Sequence, residues 1–212
     1  MRRNYRRRSR RRSRHHSKYN ESQVFSITRK TWGTYIQNTA SNSTFWAGSL
    51  NASYAKTFTL GDVPAVTEFT NLFEEYRIVG IRVTVNLDTG INVQPTLDYG
   101  TWFMWVDNDD GTQLDPTTGS NFDLVLQRGR VKTFNGNDGK RHTMWVKPMV
   151  SAEYYRASGG VNAYGPKYSP WLSTSNTGTP HYSFKIWVRN MTSNILGFNI
   201  MCKYYLQFRG VQ

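Results

Sequence analysis

Beyond residue 22 the chain reads as strands broken by turn residues, and in three stretches apolar and polar positions alternate with a period of two. That period is the mark of strands that bury one face. In residues 76–87 (YRIVGIRVTVNL), Arg77, Val79, Ile81, Val83 and Val85 share the expected core face, and Ile78, Gly80, Arg82, Thr84 and Asn86 share the other. Residues 182–189 place Tyr182, Phe184, Ile186 and Val188 inward. Residues 197–208 turn Phe198, Ile200, Cys202, Tyr204, Leu206 and Phe208 inward, and Asn199, Met201, Lys203, Tyr205 and Gln207 outward. The run TWFMWVD at 101–107 is apolar on both faces, which predicts a central strand covered on both sides.

Four further stretches, 24–36, 54–60, 127–134 and 141–147, complete a set of eight strands. NGNDG at 135–139 predicts a hairpin turn between the last two of these. Residues 38–43, 51–53 and 108–111 read as turns, and 69–75 as a short helical turn. Residues 148–180 are rich in Gly, Ser, Pro, Asn and Tyr and have no period, which predicts a long loop. Tyr154, Tyr155, Tyr164, Tyr168 and Trp171 are expected to order that loop by packing. There is no long amphipathic helix. Eight strands without helices to cover them lead to two packed antiparallel sheets, an all-β sandwich of jelly-roll or related type.

Composition supports strands: 15% of residues are aromatic, including 7 Trp, 13 Tyr and 11 Phe. No apolar run reaches the length of about 18 residues that a membrane span needs, so no membrane insertion is expected. The N-terminus has no apolar stretch of a secretion signal. The one cysteine, Cys202, lies at an inward strand position and reads as a buried structural thiol.

Charge changes the picture most. Residues 1–18 (MRRNYRRRSRRRSRHHSK) contain nine arginines, Lys18 and no acid, a charge of +10. The whole chain is +13, from 27 basic and 14 acidic residues, so the remainder is only +3. A segment this polar and self-repelling cannot fold alone, so residues 1–20 are expected to form a disordered arm before a domain at 21–212. The arm's Arg2, Arg3, Arg6, Arg7, Arg8, Arg10, Arg11, Arg12, Arg14 and Lys18 are candidate nucleic-acid-binding residues. Their blocks show no spacing suited to base edges, so they are expected to grip phosphate without sequence preference. Such a cluster also reads as a nuclear-import signal, implying host import receptors as partners.

Asp107–Gly111 lacks EF-hand spacing and is expected to be a turn closing a strand. No nucleophile–base pair, phosphate loop or metal spacing is visible, so neither enzyme activity nor a cofactor is expected.

Several pieces resemble the capsid proteins of circular single-stranded DNA viruses, the circovirus and cyclovirus group. They are the arginine-rich start; FTLGDVP at 58–64, similar to the stretch after the family's second strand; FEEYRIVGIRVTV at 73–85, similar to its F-x-x-Y-R-I strand; and YYLQFRG at 204–210, similar to its terminal Y-x-x-Q-F-R strand. The order and approximate spacing agree across the body. The arm is shorter than in the best-known circoviruses, and the large loops do not align.

The resemblance implies an eight-stranded antiparallel jelly roll whose strands B to I are the eight stretches above. It implies self-assembly of about sixty copies into a T=1 shell, arms turned inward on a single-stranded DNA genome. It also implies a virion protein that passes through the host nucleus and meets a host-cell attachment factor. Arg82 and Lys203 would lie on the outer faces of strands D and I, neighbours in one sheet, and would help to hold DNA. A small RNA virus capsid protein needs the same arm and fold. A cellular nucleic-acid-binding protein with a basic tail would have a more basic body than +3.

Overall fold

The computed structural model describes residues 24–36, 45–48, 51–87, 98–108, 110–115, 119–156, 162–191 and 197–211. All ten arm cations proposed to bind nucleic acid lie outside the described residues.

The described chain is almost entirely antiparallel sheet. Its strands are β1 (Phe25–Ile36), β2 (Phe45–Gly48), β3 (Asn51–Phe58), β4 (Phe73–Leu87), β5 (Thr101–Val106) and β6 (Lys132–Asn135). They continue with β7 (His142–Val146), β8 (Met149–Arg156), β9 (Asn162–Tyr168), β10 (Leu172–Ser173), β11 (His181–Arg189) and β12 (Gly197–Val211). Two short helices, α1 (Val66–Thr70) and α2 (Gly119–Leu126), interrupt them.

One sheet runs β1-β12-β4, with β7 and β10 both on the far edge of β4. The second runs β2-β3-β11-β5-β6, and the β8–β9 hairpin joins β11. With β1, β3, β4, β5, β6, β7, β11 and β12 taken as strands B to I, the sheets are BIDG and CHEF, a jelly roll. The two outer strands of the chain thus lie side by side: β12 is the penultimate strand of a sheet that β1 closes.

The core fills the space between the sheets. All six inward residues expected on β12 are buried there, as are Phe184, Ile186 and Val188 of β11. Rings interlock across the gap: Phe58 meets Tyr204 edge-on at 6.1 Å, and Trp102 meets Phe198 at 5.5 Å. Strand β5 is covered on both faces, as its sequence requires. Trp102 and Met104 enter the main core, while Phe103 and Trp105 join Trp187 and Val125 in a smaller core beneath α2.

Several expectations are corrected. The phase of β4 shifts at Val79, where a bulge against β12 separates Gly80↔Tyr205 from Ile78↔Leu206. Tyr76 and Ile78 are therefore buried, while Arg77 and Val79, expected inward, are not. The strand expected at 127–134 shrinks to β6, because residues 119–126 form α2 and cap the second core. NGNDG is not a hairpin turn: it is a 3-10 turn that carries the chain from one sheet to the other. Gly136 is buried there, and a Cβ would lie 2.6 Å from the Tyr99 carbonyl oxygen, so the turn is shaped by packing.

The helical turn lies at 66–70, earlier than expected, and β4 begins at Phe73. Residues 51–53 are not a turn but the start of β3. The long loop carries β8, β9 and β10, and Tyr164 and Tyr168 are exposed rather than packed inward. Tyr182 is only half-buried.

Candidate nucleic-acid interface

The solvent face of the BIDG sheet is where the structure brings basic residues together. Lys30 and Trp32 of β1 and the odd-numbered residues Met201 and Lys203 of β12 share the face away from the core, because the register pairs Lys30 with Lys203 and Trp32 with Met201. The same face of β4 carries Arg82, directly opposite Lys203. Arg82 in turn faces Trp145 of β7. Lys30, Lys203, Arg82 and Trp145 thus form one row across four strands.

The expected neighbours Arg82 and Lys203 are brought into direct register, and the structure adds Lys30, which the sequence reading missed. Its signal was present in β1, where SITRKTWG alternates weakly and shows no clear core face. Among the described residues, none of Lys30, Lys203 and Arg82 forms an ion pair with a carboxylate. Like charges directly opposite on neighbouring strands are destabilising. Three in a row are a loss to the fold that an anionic partner would relieve.

Aromatic rings accompany the cations. Trp32 is 62% exposed and Trp145 45% exposed. Trp145 packs on Tyr205, with ring centres 4.9 Å apart, and the Lys203 ammonium stands 5.0 Å from the centre of the Tyr205 ring. Trp145 reaches Tyr205 because Gly80 lies between: a Cβ there would be 2.2 Å from Trp145 Cζ2. Farther along the sheet, Arg77 and Arg209 both stack on Trp171, at 4.5 and 4.3 Å from its ring centre. Arg77 also donates to Gln207 Oε1, and Arg209 pairs with Glu75.

The other polar clusters belong to the fold. Lys185, 1% exposed, donates to Asp107 at 3.0 Å and Asp110 at 2.7 Å, and Arg128 also approaches Asp107, at 3.3 Å. Asp107 and Asp110 follow the end of β5, as expected of a stretch that closes a strand, and both pair with Lys185, Asp107 from a buried position. His181 is buried with Nδ1 3.0 Å from the Thr179 carbonyl oxygen, and burial pushes its pKa below 6.5. Burial pushes the Cys202 thiol up to about 11, consistent with an unreactive core residue. Among the described residues, no three His, Cys, Asp or Glu side chains converge as a metal site would need. No helix among them is long and apolar enough to cross a membrane.

The fold is shared with known shell proteins. The BFDV capsid protein in its 60-mer crystal structure superposes with a TM-score of 0.66 at 16% identity, over 91% of this chain and 96% of that one. Its decameric form gives 0.56 at 17% identity, over 88% and 99%. The semi-empty particle of the giant freshwater prawn Macrobrachium rosenbergii nodavirus gives 0.54 at 10% identity, over 92% and 98%. No curated protein sequence matches. A jelly roll behind an arginine-rich start agrees with the match of residues 1–212 to the model of the circovirus capsid protein, and the chain belongs to that family of viral capsid proteins.

Proposed function

We propose that this capsid protein packages single-stranded DNA inside a closed shell of about sixty copies. Residues 1–20 act as the arm and 21–212 as the jelly-roll domain. Arg2, Arg3, Arg6, Arg7, Arg8, Arg10, Arg11, Arg12, Arg14 and Lys18 neutralise phosphate, and Arg82 and Lys203 extend that contact onto the sheet.

The observation that carries this reading is the cation row on the BIDG face, which among the described residues has no carboxylate partner. Six residues separate Lys18 from Phe25, the first residue of β1. Fully extended they span about 20 Å. Arm and cation row are therefore tethered to serve one polyanion. Inward placement of this face, nuclear import through the arginine cluster and contact with a host attachment factor on the opposite surface belong to the same proposal.

The test is to express the full chain, isolate particles and digest the extracted cargo. Cargo sensitive to DNase and resistant to RNase is expected; RNase-sensitive cargo would replace DNA by RNA. Single-strand affinity should fall with log salt by about 0.7 per neutralised phosphate, so deleting residues 1–18 should flatten the slope by up to about 7. A truncated protein that keeps the full slope would refute the arm's role.

A further inference from the structure

We infer that the BIDG face is a stacking platform for unpaired nucleobases, in which Trp32 and Trp145 receive bases while Lys30, Lys203 and Arg82 hold the connecting phosphates. This rests on the packaging reading and names the part of the cargo that the folded domain recognises.

The two indoles stand on the outermost strands of a four-strand span, with the cation row running between those strands. Three inter-strand steps of about 4.8 Å place them about 14 Å apart across the sheet. A flexible single strand crosses that distance within a few nucleotides.

Burial by the protein's own core does not explain these rings, since both stand on the solvent side of the sheet. Trp145 lies against Gly80, where any side chain would strike it, and packs on Tyr205, yet it stays 45% exposed. Stacking on such a ring accepts any base, because every base offers a π-face.

A duplex keeps its bases stacked on each other and cannot supply them. The platform therefore favours single strands, where the arm's phosphate contacts alone do not discriminate. The cations argue against the bland occupant of an exposed aromatic surface, a second protein copy. A symmetric copy would bring its own Lys30, Lys203 and Arg82 to the contact.

The experiment uses the full chain with three 20-nucleotide probes: single-stranded oligo(dT), an abasic strand of equal length, and a duplex. Affinities are measured in parallel for the native protein, Trp32→Leu, Trp145→Leu and a Trp32→Tyr control. The native protein should bind oligo(dT) at least about tenfold more tightly than the abasic strand. Each Leu variant should lose about tenfold toward oligo(dT) and nothing toward the abasic strand, while Trp32→Tyr keeps most of the affinity.

Equal binding of oligo(dT) and abasic strand by the native protein overturns the platform whether or not the variants fold. So do Leu variants that bind oligo(dT) normally but no longer assemble, which would make the face a contact between copies. Either result leaves phosphate-driven packaging standing. That reading falls separately, if deletion of residues 1–18 leaves the salt slope unchanged.

Discussion

Lys185 offers a sharp test of how the second sheet is held. Its ammonium is 1% exposed and bonded to Asp107, itself 2% exposed, and to Asp110, which is 54% exposed. The Asp110 contact is screened and contributes little. The Asp107 contact is between two desolvated charges, and breaking such a pair from one side costs about 3–5 kcal/mol. In Lys185→Met the Asp107 carboxylate stays buried, with the 41% exposed Arg128 guanidinium as a weaker counter-charge.

For a domain of this size each kcal/mol moves Tm by roughly 2–4 °C, so a fall of about 6–20 °C is expected. Replacing both charges, Lys185→Met with Asp107→Leu, removes the desolvation penalty together with the attraction. That double variant should return to within about 1 kcal/mol of the native protein or exceed it. Urea unfolding of dissociated subunits measures all four corners of the cycle. A Lys185→Met loss under about 1 kcal/mol, additive with that of Asp107→Leu, would refute the claim that this pair is a coupled buried unit.

Gly80→Ala should lose about 1–3 kcal/mol, because the new Cβ would strike Trp145 at 2.2 Å. Most of that loss should vanish in a Trp145→Ala background, and a loss that persists there would point to the bulged backbone instead. His181 has a pKa lowered by burial, so the unfolded chain binds its proton more readily than the folded one. Stability from this residue is complete above the unfolded value of about 6.5 and declines as pH falls below it. His181→Phe should therefore lose less stability than the native protein between pH 7 and 5.5; equal losses would exonerate His181. With its thiol pushed up to about 11, Cys202 should resist a disulfide reagent at pH 8 until denaturant is added. Rapid stoichiometric reaction of the folded protein would contradict its placement in the core.

Period-two alternation was enough to read the inward face of β12 and both covered faces of β5, because a side chain's direction in a strand is set locally. Charge asymmetry marked the arm, and strand counting led to two sheets. Arg82 and Lys203 were legible as outward residues for the same reason. Their union with Lys30 and Trp145 was not, since register between strands distant in sequence depends on how the sheets close.

The bulge at Val79 escaped the pattern because both phases of RIVGIRV contain apolar residues. Only the partner strand and the space that Trp145 takes over Gly80 choose between them. The sheet-changing turn at 135–139 has the residues of a hairpin, and its outcome was decided by Gly136 packing under Tyr99. Lys185 falls on the face of β11 opposite Phe184 and Ile186, and only its ion pairs with Asp107 and Asp110 show that this position is buried. Local sequence thus determined which way side chains point along each strand, because sterics act between neighbours in the chain. Where the pattern left the buried face open, as at Val79 and Lys185, tertiary structure decided it, because burial depends on surfaces brought together from far apart.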